Sequence, residues 1–235
     1  MKTVAGQRGR TEEHCFPKWL AKHVVGGGDE WEHTVAKTET GEVRRQWTTK
    51  TLNIVTRKVC RSCNNGWMND LERKVDRYLP SLVRGNGRDL YDDGQRLLSA
   101  WAVKTALCLH LANPNDEPVP KEHYRAMASL KTAPPPKTQV IMGAYSGDRL
   151  FFHYPMRVTS LPDGMHGYKT VLIAGKVIFE VFGHSHPDEL KMTTAAMNAG
   201  MAVQIWPTLG PVTFPPKLIT TEDLLWGLDM KRRVA

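Results

Sequence analysis

Three short groups of residues in the first 70 positions carry side chains that can do hydrolytic chemistry. They are Glu13 and His14 with Pro17 after them, then Asn53, then Cys60, Cys63 and Asn64. Histidine has the ordinary pKa nearest to neutral pH, so it can accept a proton from water. A carboxylate and an amide oxygen are hard ligands of the kind that Mg²⁺ prefers, and a helix start offers N–H groups to a phosphate. These requirements match metal-assisted hydrolysis of a phosphodiester bond.

The order of these groups along the chain carries a family resemblance. Glu-His-x-x-Pro, then an Asn in a strand, then Cys-x-x-Cys-Asn opening a helix resembles the HNH nucleases with their ββα-metal fold. The resemblance covers residues 11–80, and Glu-His-Cys-Phe-Pro with Cys-Arg-Ser-Cys-Asn-Asn-Gly-Trp is similar to a bacterial and phage subset. It implies an endonuclease that uses Mg²⁺ or Mn²⁺. His14 would be the general base, with Asn53 orienting its loop, and Glu13 and Asn64 would hold the metal.

The cysteines depart from the usual pattern of this family. HNH proteins with one Cys-x-x-Cys commonly carry a second cysteine pair that completes a structural Zn²⁺ site, and this chain has no second pair. A zinc site built on Cys60 and Cys63 would therefore recruit Cys15 or a histidine such as His23 or His33. The separation between His14 and Asn64 is also long, and a hairpin at residues 31–47 would form the insertion.

The charge of the chain indicates the class of partner. Lys and Arg exceed Asp and Glu by 8, which favours nucleic acid. The residues expected to contact phosphates beside the site are Lys18, Arg57, Lys58, Arg61 and Asn65. The alternative for the basic ones is a solvated strand edge. The expected partner is DNA, and the sequence does not exclude RNA.

Two other function classes compete with the nuclease. One is a catalytically degenerate protein that keeps the fold and binds nucleic acid without cleaving it. The other is a zinc-stabilised interaction module, which would bind stoichiometric Zn²⁺ through Cys60 and Cys63 and have little affinity for DNA. The net charge argues mildly against the second.

The elements that must position these residues predict an α+β protein. An N-terminal ββα-metal module is followed by a helical middle segment and a mostly β C-terminal region. Apolar residues from Trp67 to Leu82 recur at helical spacing, and Pro80 is expected to end or kink that helix. Residues 93–112 are apolar nearly all round, which predicts a buried central helix. Further helices are expected at 121–130 and 221–230, and strands at 51–59, 138–145, 149–154, 169–174, 176–182 and 201–206.

Composition shifts divide the chain into three segments. Residues 1–85 would form the nuclease module, 86–132 the helical segment, and 133–235 the β-rich domain that could supply specificity. The boundary at 133 rests on the stiff run Ala-Pro-Pro-Pro that ends at Pro136.

The sequence also bears on location. It contains no stretch of 18 apolar residues and no apolar region near its first residue, so we expect neither a membrane span nor a signal peptide. The expected compartment is the cytoplasm of a bacterium or of a phage-infected cell. In that compartment the four cysteines would be reduced. The oligomeric state is left open.

Overall fold

A computed structural model describes residues 10–24, 31–36, 43–49, 54–112, 119–147, 151–157 and 167–214. Its strands are β1 (Arg10–His14), β2 (Trp31–Ala36), β3 (Val43–Thr49), β4 (Val55–Cys60), β5 (Arg88–Leu90), β6 (Thr138–Ala144), β7 (Phe151–Arg157), β8 (Gly167–Ala174), β9 (Val177–His184), β10 (Ala202–Trp206) and β11 (Val212–Phe214). The helices are α1 (Arg61–Cys63), α2 (Asn69–Val75), α3 (Leu79–Val83), α4 (Asp92–Ala112), α5 (Lys121–Leu130) and α6 (Ala195–Asn198). A 3₁₀ turn covers Lys18–His23, and a π turn at Asn64–Met68 joins α1 to α2.

The first strand pairs with the strand that leads into the two cysteines. β1 pairs antiparallel with β4, so that Glu13 lies opposite Thr56 and His14 opposite Val55. The register shifts between Thr11 and Glu13, where β4 contains one residue more than β1. β4 then runs directly into α1. The hairpin expected at 31–47 is present as β2 paired antiparallel with β3.

The helix after the cysteines is interrupted earlier than the sequence predicts. The chain leaves helical geometry at Gly66, and α2 ends at Val75 before a turn that leads into α3. Pro80 does not break the helix but lies in the first turn of α3. Proline is tolerated there because the first N–H groups of a helix have no partner within it.

α4 is the central element of the structure. Every residue from Leu97 to His110 is buried, which confirms the expectation of a buried helix over 93–112. The helix packs against β4 and α2 on the N-terminal side and against β10 and β9 of the C-terminal sheet. The helix predicted at 121–130 is likewise present as α5.

The C-terminal segment forms one antiparallel sheet of five strands in the order β10-β6-β9-β8-β7. All five strands were expected from the sequence within a few residues of their bounds. A second pairing was not expected: β11 pairs antiparallel with the three-residue β5, so that Phe214 lies opposite Arg88. The helix predicted at 221–230 lies outside the described residues.

One buried apolar cluster joins the segments. The Trp101 ring on α4 lies 6.5 Å from the Phe16 ring and 5.8 Å from the Phe179 ring, measured between centroids. The same cluster contains residues from all three predicted segments, while their boundaries stay a prediction. The mixture of helices and antiparallel sheet agrees with the α+β class. In the described part of the chain, no helix is long and apolar enough to cross a membrane.

Candidate active site

Strand β1 presents its acidic residues and its histidine to different surroundings. Side chains alternate along a strand, so Glu13 points away from the side of Glu12 and His14. Glu13 is buried, Glu12 is exposed, and His14 is partly buried. The alternation therefore separates the two residues that the HNH resemblance assigns to the metal and to the base.

Asn64 connects the start of the helix to this strand. Its side-chain Nδ2 donates a hydrogen bond to the backbone oxygen of Glu12 at 3.0 Å. The preceding turn is closed by the backbone N–H of Cys63, which donates to the Sγ atom of Cys60 at 3.1 Å. The bond places Asn64 beside β1. Asn53, the third residue of the pattern, lies outside the described residues.

His14 has the properties of a base at neutral pH. Partial burial, and then the positive charge of Lys18, lowers the pKa of His14 below its usual 6.5. The ring is therefore mainly uncharged at pH 7. Its Nδ1 atom is buried and has no hydrogen-bond partner among the described residues. An uncharged imidazole ring that is only partly buried can accept a hydrogen bond, and then a proton, from a water molecule.

Glu13 is held by a lysine that the sequence analysis did not single out. The Nζ atom of Lys104 on α4 donates to Oε1 of Glu13 at 2.9 Å and to Oε1 of Glu72 at 2.7 Å. The side chains of Lys104 and Glu13 are 1% and 6% exposed, and that of Glu72 is 17% exposed. We call these three residues the buried triad.

The pKa directions in the buried triad follow from its geometry. Burial raises the pKa of Glu13 above 4.5, and the Lys104 ammonium opposes that rise. Burial alone would lower the pKa of Lys104, but the Glu72 carboxylate and other nearby groups raise it above its usual range. The ammonium therefore stays charged at any pH at which the protein would be studied.

A signal for this lysine existed in the sequence. Lys104 lies inside the apolar run of α4, where a charged side chain is buried on every face of the helix. A buried charge requires a partner of opposite sign, so acidic residues on the neighbouring elements were the natural candidates. The sequence alone did not say which ones.

The residues present do not fit a divalent cation at Glu13 in this arrangement. The charge of its carboxylate is already compensated by Lys104, which a metal would have to displace. Asn64 donates its amide nitrogen to the Glu12 backbone, which leaves Oδ1 as the atom that could ligate a cation. The assignment of Glu13 and Asn64 as ligands of Mg²⁺ or Mn²⁺ stays a prediction.

The two cysteines of the Cys-x-x-Cys are joined as a disulfide, which differs from the reduced thiols that the sequence analysis expected. Their Cα atoms lie 5.2 Å apart, within the range that a disulfide spans, because a helix start brings residues three apart together. Cys15 and Cys108 are buried free thiols. His23, a suggested zinc ligand, has its Nδ1 atom 2.8 Å from the Arg84 guanidinium.

The residues expected to contact phosphates all lie at the surface of this region. Lys18, Lys58, Arg61 and Asn65 are exposed. Arg57 is exposed too, but its guanidinium donates to Oε1 of Glu12 at 2.6 Å, which reduces the charge it can offer to a phosphate.

Comparison with models of known families, with characterised proteins and with solved structures finds no match to this chain. The resemblance to HNH nucleases therefore rests on the sequence motifs quoted above.

Proposed function

We propose that this protein is a ββα-type nuclease that hydrolyses phosphodiester bonds in DNA, with His14 as its general base. The observation that carries the proposal is the bond from Asn64 to the Glu12 backbone, which joins the helix start to β1 next to His14. Support also comes from β1 and β4, which pair antiparallel, and from the short helix α1 that follows β4 directly.

The side chains of this region suit two steps of hydrolysis. The uncharged His14 ring, which is only partly buried, can accept a proton from water. Exposed Lys18, Lys58 and Arg61 supply positive charge to a phosphate backbone. Lys18 also helps to keep His14 unprotonated. Mg²⁺ or Mn²⁺ stays an expectation of the resemblance, and its need is tested by chelation.

A second candidate function is binding of nucleic acid without cleavage. The ion pair from Lys104 to Glu13 favours it, because the carboxylate that the resemblance assigns to the metal is already neutralised. A protein of this kind would keep the exposed basic residues and lack hydrolysis.

Cleavage of a supercoiled plasmid at low salt tests the proposal. Wild type is compared with His14→Ala in Mg²⁺, in Mn²⁺ and in EDTA. His186→Ala is the matched control, since its histidine lies in the loop after β9. We expect cleavage by wild type and by the control, and its loss in His14→Ala with unchanged thermal unfolding. Cleavage that persists in His14→Ala overturns the assignment of His14 as the general base.

Two further arms separate the candidate functions. Binding of the plasmid without any cleavage by wild type supports the second candidate, and absence of both binding and cleavage contradicts both. Glu13→Gln tests the metal assignment, because glutamine keeps an acceptor for Lys104 but loses the charge that a cation requires. Cleavage that EDTA abolishes and Glu13→Gln leaves intact would show that the ion is held without Glu13.

A further inference from the structure

A basic cleft lies between α2 and the beginning of α4. It has a volume of about 350 Å³ and is lined by Arg73, Lys74, Arg77, Asp93, Arg96 and Leu97. None of these residues belongs to the group expected to contact phosphates beside His14. We propose that this cleft binds backbone phosphates of the DNA at a distance from the cleavage site, an inference that rests on the proposed function.

Charge is the first argument. Four cationic side chains line the cleft against the single carboxylate of Asp93. Arg73 is also paired with Asp70, which is outside the cleft. Even when both aspartates are counted, the cationic side chains outnumber the carboxylates, so the cleft keeps an excess of positive charge. Exposed ion pairs contribute little to stability, and gathering like charges opposes folding. An anionic ligand would account for such a cluster.

Preorganisation is the second argument. The two oxygens of Asp93 accept from Arg77 at 2.7 Å and from Arg96 at 2.5 Å, so one carboxylate holds both guanidinium groups side by side. Arg96 also donates to the backbone oxygen of Thr132 at 2.7 Å. The guanidinium carbon of Arg77 lies 4.8 Å from the centre of the Tyr78 ring. Guanidinium groups fixed in this way lose little freedom when they bind phosphate oxygens.

Position along the chain is the third argument. Arg73 follows Asn64 by nine residues, across the kink at Gly66 and into α2. The cleft and the candidate active site thus belong to one short stretch of the chain, and a duplex whose scissile phosphate lies at His14 would continue toward the cleft.

Salt-dependent binding of a 20-base-pair duplex tests the inference. The cleft variant is Arg73→Gln/Lys74→Gln/Arg77→Gln. The control variant removes three charges elsewhere, at exposed Lys121, Arg125 and Lys191. Both variants have the same net charge, so a difference between them reports position and not total charge.

Each phosphate contact steepens the slope of log affinity against log salt by about 0.9. We therefore expect the cleft variant to lose about 2 to 3 units of slope and at least tenfold in affinity at 0.1 M salt. The control variant should bind like wild type. Equal behaviour of the two variants would overturn the inference, even where wild type cleaves plasmid and the proposed function stands.

Other outcomes are equally decisive. If His14→Ala abolishes cleavage but the cleft variant binds DNA normally, the nuclease proposal survives and the cleft inference fails. If wild type cleaves nothing but the cleft variant loses slope, the cleft binds DNA and the nuclease proposal fails. If wild type binds polyglutamate through these residues and not DNA, the partner is an acidic protein and the inference is wrong.

Discussion

Replacing Lys104 by methionine should destabilise the protein strongly at neutral pH. The Lys104 side chain is 1% exposed, and its ammonium contacts the carboxylates of both Glu13 and Glu72. Methionine fills a similar volume but leaves these two negative charges without a partner. Removing one member of a buried ion pair typically costs about 3–5 kcal/mol. Because Glu72 keeps some access to water, we expect a value near the lower end, about 3 kcal/mol.

The stability lost in Lys104→Met should depend on pH in a specific direction. Burial already holds the folded-state pKa of Glu13 above 4.5, and Lys104 is the main group that opposes this rise. Without Lys104 that folded-state pKa rises further above the unfolded value. A carboxyl group with a raised pKa lowers stability fully above its folded-state pKa, and this penalty disappears as the pH falls toward 4.5. The difference between Lys104→Met and wild type should therefore be largest at pH 7–8 and smaller near pH 5.

Urea unfolding followed by the fluorescence of the seven tryptophans measures this difference. The series is wild type, Lys104→Met, and Lys104→Met combined with Glu13→Gln and Glu72→Gln, each at pH 8, 7, 6 and 5. The combined variant has no buried charge, so it should recover much of the lost stability and show no extra pH dependence. A Lys104→Met protein as stable as wild type at pH 8, or equally destabilised at pH 8 and 5, would refute the triad.

Three further measurements test separate parts of the structure. If wild type cleaves DNA, its cleavage rate should rise with pH below 6.5 and be constant near pH 7–8, because the lowered pKa of His14 keeps the base uncharged there. A cleavage rate that still rises above pH 7 contradicts this. Thiol titration of protein denatured without reductant should find two free thiols, not four, because Cys60 and Cys63 are joined; four thiols would show a reduced pair. Gly175→Ala should destabilise by more than Gly200→Ala in urea unfolding. Both glycines have positive φ, so either substitution should lower the free energy of unfolding by about 1–2 kcal/mol. Only at Gly175 would the new Cβ also lie 2.5 Å from a backbone oxygen of α3.

The large elements could be predicted because their signals are local. The apolar run of residues 93–112 requires burial on every face of a helix, and α4 has that position. Dense β-branched and aromatic residues between turns similarly predicted the five-stranded sheet. The pairing of β5 with β11 has no such signal. Two three-residue strands far apart in the chain are too short to show alternation, so their pairing depends on the tertiary structure.

The candidate site, like the fold, was predictable only where the signal is local in the sequence. Asn64 lies near β1 because β1 pairs with β4 and the helix follows β4 directly, an adjacency that the motif order suggests. The partner of Glu13 was missed because Lys104 lies 91 residues further along the chain, on an element whose packing no local pattern specifies. A lysine in a buried helix indicates that an acidic partner exists and does not identify it.

The buried triad also clarifies how one strand can serve both stability and chemistry. Because neighbouring residues of β1 face opposite sides, fixing Glu13 against a rigid 21-residue helix also fixes the direction in which His14 points. An orientation obtained in this way does not require a metal at Glu13. The triad is therefore consistent with a catalytic His14 and equally with a site that only binds. The two functions differ in whether the His14 ring takes a proton from water when DNA is present, which is why loss of cleavage in His14→Ala, and not any stability measurement, decides between them.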